Sequence, residues 1–247
     1  MAGGGPTRAN ATAASGPAPP LTIKWEFEPY VTASPPVVAD GTVYVGTRDS
    51  GVYAIDSEDG TTREHWPFTE PAGVTVTPAV TDDTVYAVDT EYGHVYAIDR
   101  ETGAVPDEWN FTVELPNPTY RTVPIVDGDT VYFSSGTNVY GIDARTGTLR
   151  DGWPCEAPTK TVGSPAVTDE TVYAGTTDSV YAIDATTGTV RDGWPFTRRG
   201  LSFPPTVAND TVYVLGYEDE VRQERHRSAT LLSETTRCTS PGNSCMP

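Results

Sequence analysis

The stretch SPAVTDETVYAGTTDSVYAIDATTGTVRDGW, residues 164–194, decides the fold, because it is the cleanest copy of a unit that recurs along most of the chain. Val172 and Tyr173 open an alternating run, Asp178 and Ser179 break it, and residues 180–183 form a second run that stops at Asp184. Short runs rich in Val, Tyr and Thr, punctuated by Asp, Gly and Ser, predict three to four half-buried strands per unit, since nothing recurs at the i, i+3, i+4 spacing of a helix. Residues 184–188 predict a turn: the Asp184 carboxylate can accept nearby backbone N–H groups, and Gly188 can adopt positive φ at little steric cost.

The unit returns in register. Its Thr-Val-Tyr signature starts at Thr42, Thr84, Thr130, Thr171 and Thr211, and a Val-Tyr-Ala/Gly-Ile-Asp signature starts at Val52, Val95, Val139 and Val180. Trp66, Trp109, Trp153 and Trp194 close the units and Trp25 stands one period ahead, at intervals of 41, 43, 44 and 41 residues. A period of roughly 40–45 residues with up to four strands per unit is the signature of a β-propeller blade. The expected fold is therefore all-β: an arc of four full antiparallel blades, residues 34–68, 77–111, 123–153 and 164–196, with a partial fifth at 203–221. Pro35, Pro78, Pro124, Pro165 and Pro204 stand at the start of each first strand, where proline forfeits no ladder bond. Hairpin signals follow at residues 40–41, 82–83, 127–129, 169–170 and 209–210.

Residues 21–27 (LTIKWEF) carry strand alternation and Trp25, and are expected to form the outermost strand of a blade, pairing onto the incomplete one if the arc curls enough to meet it. Residues 1–20, rich in Gly, Ala, Pro, Ser and Thr and without the apolar segment of a secretory signal, read as a disordered leader or tether. The fifth unit starts normally and then loses the pattern: where Val-Tyr-Ala-Ile-Asp is due, Val221 is followed by RQERHR. Residues 222–247 hold four Arg and two Glu, a net +2, against −20 (12 minus 32) for the preceding 221 residues. The switch predicts an aberrant, disordered tail, of the kind a frameshift or an interrupted gene leaves.

A net charge of −18, with only 2 Lys beside 14 Arg, argues against nucleic-acid or anionic-membrane partners and for solubility at high salt, a halophile's balance. No run approaches the ~20 apolar residues of a membrane-spanning helix. Three cysteines, Cys155, Cys238 and Cys245, define no disulfide framework.

The run Ala182-Ile183-Asp184-Ala185-Thr186-Thr187-Gly188 and its copies from Ala54, Ala97 and Gly141 resemble the pyrroloquinoline-quinone-like β-propeller repeat, whose tryptophan-docking motif is Ala-x-Asp-x-x-x-Gly before a Trp. The resemblance covers about residues 25–217, with the Trp two residues later than in the usual motif. It implies that Trp25, Trp66, Trp109, Trp153 and Trp194 plug the spaces between blades. The family includes quinone-dependent dehydrogenases, which bind the cofactor with calcium in the central channel, and non-catalytic propellers such as the scaffold lipoprotein of the bacterial outer-membrane assembly machinery. This chain has no adjacent cysteines to set against a quinone, and fewer blades than the usual seven or eight. The implied function is a non-catalytic scaffold for protein binding, surface-associated in its parent protein and without cofactor. Pyrroloquinoline quinone with calcium belongs only to the alternative, a dehydrogenase remnant; a third reading is a gene fragment without independent function.

No residue is expected to be catalytic or to bind metal. Asp56, Asp99, Asp143 and Asp184 recur at one blade position, as turn formers do; residues 56–60 lack the ligand pattern of an EF-hand; His65, His94 and His226 do not cluster in sequence. The connectors between blades vary while the frame stays fixed. They and the mid-blade turns are expected to share one face carrying Arg48, Tyr120, Arg121, Lys160, Arg198 and Arg199, with Tyr30 and Tyr92, and that face is the candidate binding surface. The other reading is that these cations solvate loops. The Asp-rich hairpins fall on the opposite face.

Overall fold

The computed structural model describes residues 20–28, 33–48, 51–69, 73–74, 76–89, 94–109, 122–168, 170–197, 200–208, 211–217 and 227–233. Five antiparallel sheets follow one another along the chain. The first contains β1 (Val37–Ala39), β2 (Thr42–Thr47) and β3 (Gly51–Asp56); the second, β4 (Ala79–Val80), β5 (Thr84–Val88) and β6 (Val95–Asp99). The third contains β7 (Ile125–Asp127), β8 (Thr130–Ser135), β9 (Asn138–Asp143) and β10 (Cys155–Glu156). The fourth contains β11 (Ala166–Thr168), β12 (Thr171–Gly175), β13 (Ser179–Asp184) and β14 (Phe196–Thr197), and the fifth β15 (Thr206–Ala208), β16 (Thr211–Tyr217) and β17 (Arg227–Ser233). Two sheets thus have four strands and three have three; in the first, the fourth strand shrinks to one bridge, Val52 with Phe68, closed by reciprocal N–H···O bonds of 3.0 and 2.8 Å. Among the described residues there is no helix, and so none long and apolar enough to cross a membrane.

The short first strands β1, β4, β7, β11 and β15 are neighbours in that order, so the sheets stack as blades about their inner edges. Each gap between blades is filled by one cluster drawn from both sides: Tyr44, Val52 and Trp66 meet Val85 and Ile98; Tyr86 and Trp109 meet Val131 and Ile142. Farther along, Tyr132 and Trp153 meet Val172 and Ile183, and Tyr173 and Val180 meet Val207 and Val212. This sandwiching corrects the expectation of half-buried strands. All six residues of β8 and all five of β12 are buried, because a blade has a neighbour on each face. Alternation survives as a choice between two cores rather than between core and solvent.

The expected tryptophans differ in position. Trp66, Trp109 and Trp153 are buried, whereas Trp25 and Trp194 are only partly so. Each of the last four packs against the tyrosine of its own blade's Thr-Val-Tyr, with ring centroids 5.4–5.9 Å apart. The tyrosine hydroxyl then ties the next blade: Tyr86 donates to Ala144 O at 2.8 Å and Tyr132 to Ala185 O at 3.3 Å.

Two expectations about the ends are corrected. Residues 21–27 form no strand and complete no sheet; they lie across the outer side of the first blade, where the Trp25 Nε1–H donates to Ser57 O at 3.0 Å and Phe27 meets Tyr53 edge-on at 5.0 Å. Ser57 stands at the repeat position of Ala144 and Ala185, so Trp25 binds the carbonyl that the third and fourth blades offer to a tyrosine of the preceding blade. A Cβ on Gly60, whose φ is +79°, would sit 2.9 Å from the Trp25 ring, which is why the turn glycine matters there. Nor is the stretch 222–247 wholly without structure: β17 pairs with β16 from Thr211↔Ser233 to Tyr217↔Arg227. The unpaired edge of β16 accepts any extended segment able to complete the ladder, whether or not it keeps the repeat's signature. The expected leader, apart from residue 20, lies outside the described residues.

Candidate functional site

Antiparallel connection puts successive turns at opposite ends of the strands, and hydrogen bonds separate the two faces. On one face the connector at residues 157–163 is held by the mid-blade turns: Ala157 N–H donates to Thr137 O at 2.8 Å, Thr161 N–H to Gly136 O at 2.9 Å, and Thr159 Oγ1 to Asp178 Oδ1 at 2.9 Å. Gly200 N–H donates likewise to Thr177 O at 3.1 Å. Lys160 and Arg48 are exposed on this face. Of the other expected binding residues, Tyr120, Arg121, Arg198 and Arg199, with Tyr30 and Tyr92, lie outside the described residues. Asp178, accepting from the hydroxyls of Thr159 and Thr176, is held below the usual carboxylate range.

On the opposite face each first hairpin is bonded to the turn that ends the third strand: Ser57 N–H to Gly41 O, Arg100 N–H to Asp83 O, Ala144 N–H to Asp129 O and Ala185 N–H to Glu170 O, at 2.9–3.0 Å. The recurrent aspartates form these turns. Asp99 Oδ1 accepts Thr102 N–H at 2.7 Å, Thr102 Oγ1 at 2.8 Å and Glu101 N–H at 3.1 Å, and Asp143 and Asp184 repeat the pattern. Hydrogen bonds from Thr102 hold Asp99 below the usual carboxylate range, and those from Thr187 do the same for Asp184. At Asp143 burial pushes upward, but the bonds from Thr146 prevail and its pKa is lowered too.

Arginines complete this face, away from the connectors where binding residues were expected. Arg63 Nη2 bonds Asp56 Oδ2 at 3.3 Å and Gly41 O at 3.4 Å. Arg191 Nη2 bonds Asp184 Oδ2 at 3.1 Å and Glu170 O at 2.5 Å. Arg100 crosses between the first two blades, donating from Nε to Tyr44 OH at 3.0 Å and from Nη1 to Asp40 Oδ2 at 3.0 Å, Thr81 O at 2.9 Å and Asp82 O at 2.6 Å. The i+7 spacing from each turn aspartate to Arg63, Arg150 and Arg191 was the available sequence signal.

Between the second and third blades, on the same face, lies a cleft of about 810 Å³ lined by Asp83, Tyr86, Asp99, Pro106, Glu108 and Asp129 among others. Among the described residues no three His, Cys, Asp or Glu side chains converge to hold a metal ion. Cys155 is buried in the core between the third and fourth blades, and burial pushes its thiol upward in pKa, which makes it a packing residue and not a nucleophile.

Comparison with known proteins agrees with this architecture. The family model described as outer membrane protein assembly factor BamB matches residues 14–215. No curated protein sequence matches the chain. Among solved structures, BamB from Moraxella catarrhalis is 20% identical with a TM-score of 0.62, over 79% of this chain and 61% of that one. A europium-containing methanol dehydrogenase is 15% identical with a TM-score of 0.60, over 79% of this chain and 56% of that one. The quinohemoprotein alcohol dehydrogenase of Comamonas testosteroni is 18% identical with a TM-score of 0.54, over 74% of this chain and 41% of that one. The chain therefore spans about three fifths of the length of the BamB structure it resembles. At such identities the structures share the fold alone, but the family match covers most of the chain: this protein belongs to the BamB-type, pyrroloquinoline-quinone-like family of β-propellers.

Proposed function

We propose that the chain is a non-catalytic propeller scaffold that binds protein segments on its connector face, with Arg48, Arg121, Lys160, Arg198 and Arg199 as polar anchors and Tyr120 as an aromatic one. The observation that carries this reading is the connector at residues 157–163. Its backbone is pinned to the mid-blade turn of the third blade and its Thr159 hydroxyl to that of the fourth, while Lys160 stays exposed, so a cation is presented on a rigid loop. Sparse cations on a chain of net charge −18 favour a carboxylate-bearing partner, and Arg binds carboxylates in bidentate fashion. The family described as an assembly factor supports a binding role by analogy.

Exposed ion pairs contribute roughly 0.2–1 kcal/mol each, so the test reverses several at once. A partner is isolated by crosslinking and mass spectrometry. Its affinity is then measured for wild type and for the quadruple change of Arg121, Lys160, Arg198 and Arg199 to Glu. Loss of binding by about tenfold or more is the expected result. Unchanged binding by that variant refutes the connector face, and stoichiometric uptake of pyrroloquinoline quinone with calcium, read by calorimetry, would move the chain to the dehydrogenase branch.

A further inference from the structure

The repeat contains its own record of what the hairpin face binds. Seven residues after the turn aspartate stand Arg63, Arg150 and Arg191 in the first, third and fourth blades, but Pro106 in the second. In the first and fourth blades the guanidinium joins the same two acceptors: the outer carboxylate oxygen of the turn aspartate and the carbonyl of the second hairpin residue, Gly41 or Glu170. Each of those carbonyls also accepts a backbone N–H, from Ser57 or Ala185, so both of its lone pairs are used. In the second blade the equivalent acceptors are Asp99 Oδ2 and Asp83 O. Asp83 O already holds the Arg100 N–H, Asp99 Oδ1 is occupied by its turn, and no cationic side chain of the described residues bonds Asp99 Oδ2.

Arg100 fills the gap between the first two blades, but the residue at its position in the third blade is Ala144, and Tyr86, the counterpart of Tyr44, gives its hydroxyl to the Ala144 carbonyl instead of accepting from a guanidinium. The cleft lies beside Ala144, where Pro106 stands in place of the repeat's arginine. Five carboxylates line it, Asp83, Asp99, Glu108, Asp129 and Asp143, against one cation, Arg145. Its volume of about 810 Å³ falls within the roughly 300–1,000 Å³ of ligand sites, so it has room for more than one side chain.

We propose that this cleft is a receptor for arginine side chains of a partner polypeptide, which seat a guanidinium between Asp99 Oδ2 and Asp83 O as Arg63 and Arg191 do within their own blades. In both blades one Nη2 bridges the carboxylate and the carbonyl with its two N–H groups, whose directions the planar guanidinium fixes, whereas the ammonium of Lys rotates freely. Asp99 is ionised well below neutral pH because Thr102 bonds its carboxylate, so the acceptor is charged under ordinary conditions. The site goes beyond the connector-face reading: it lies on the other end of the strands and selects a partner of opposite charge.

The test uses the full chain and the capped peptide acetyl-Gly-Arg-Gly-Arg-Gly-amide, with a citrulline counterpart that keeps the shape and loses the charge. Binding is followed by titration calorimetry, and peptide-induced NMR shifts at Asp99 and Ala144 locate the site. The arginine peptide is expected to bind about tenfold or more tightly than the citrulline peptide, and Asp99→Asn, which keeps the Oδ1 turn acceptor, to weaken it to a similar degree. Pro106→Arg supplies the repeat's own occupant and restores the N–H that Arg63, Arg150 and Arg191 donate to Ala54, Gly141 and Ala182. That variant should lose peptide binding while its thermal midpoint rises by about 2–4 °C. Equal binding of the two peptides, shifts confined to other surfaces, or a Pro106→Arg protein that is folded and still binds overturns the proposal. The connector cations are left untouched, so this result and that of the connector-face test are independent.

Discussion

Gly152 and Gly193 hold the same place in the repeat, before Trp153 and Trp194, and have nearly the same backbone, φ +81° and +84°. Their surroundings differ. A Cβ on Gly152 would lie 2.0 Å from Thr187 O in the next blade, whereas one on Gly193 meets nothing within 4 Å among the described residues. The tryptophans follow suit: Trp153 is 6% exposed and Trp194 only partly buried. The fourth blade brings its turn at residues 184–188 against Gly152, whereas the fifth, which follows Gly193, has no counterpart of that turn among the described residues and shows Tyr213 and Leu215 to solvent, at 39% and 38% exposure. Identical local sequence therefore carries different energy depending on whether a neighbouring blade completes it, as expected for a quasi-one-dimensional stack.

The comparison breaks most visibly at the tryptophans. Trp153→Ala should cost about 3–5 kcal/mol, the usual range for removing a large aromatic from a core, and Trp194→Ala clearly less. Denaturant midpoints decide this, and equal losses would show that the two interfaces are equivalent. Next come the glycines. Either Gly→Ala change places a Cβ at positive φ, at about 1–2 kcal/mol, but only Gly152→Ala must also push the Thr187 carbonyl aside, so its total should exceed that of Gly193→Ala. Matching midpoints for the pair would remove the steric part of the argument.

Salt should act on the whole stack. With a net charge of −18, raising KCl to about 1 M shortens the screening length to roughly 3 Å and relieves repulsion between carboxylates. A rise in thermal midpoint of about 2–4 °C or more is expected, equivalent to ~1 kcal/mol in a chain of this size, and a flat response would remove the halophile reading. The smallest effect is acid titration of the turns. Asp99, Asp143 and Asp184 have lowered pKa values when folded, so their contribution is complete above the unfolded value near ~4 and is lost as pH falls through the folded ones. Because these groups are close to solvent, each contributes little. Asp184→Asn, which keeps an oxygen acceptor, should reduce the slope of stability against pH below about pH 4, and an unaltered slope would place the acid sensitivity elsewhere.

Much of the fold was legible because its determinants are local and repeated. The Thr-Val-Tyr strand, the Asp-to-Gly turn and the closing Trp lie within one blade, so each copy states them again. The expectation that the aspartates were turn formers rested on repetition, and their hydrogen bonds to the next residues are what repetition pointed to. Blade three shows the limit: Gly141 replaces the alanine of the other blades, and a Cβ there would lie 2.8 Å from the Trp153 ring, a contact with a residue twelve positions on that pattern alone does not announce.

The candidate cleft was not legible in this way. It is lined by Pro106 and Ala144, which are unremarkable in their own blades and come to one cleft only because the hairpin of the second meets the turn of the third. The same holds for the ends of the chain. Residue by residue, the sequence determined the blade, its period, its register and its charge, since these follow from backbone preference and alternation over a few residues. Only the tertiary structure decided that Trp25 lies on Gly60 of the first blade, that Arg227–Ser233 closes the fifth sheet, and that both faces of the interior strands are buried. Those outcomes depend on which surfaces and unpaired strand edges come within reach once the blades stack, and that geometry is a property of the assembled chain rather than of any one copy of the repeat.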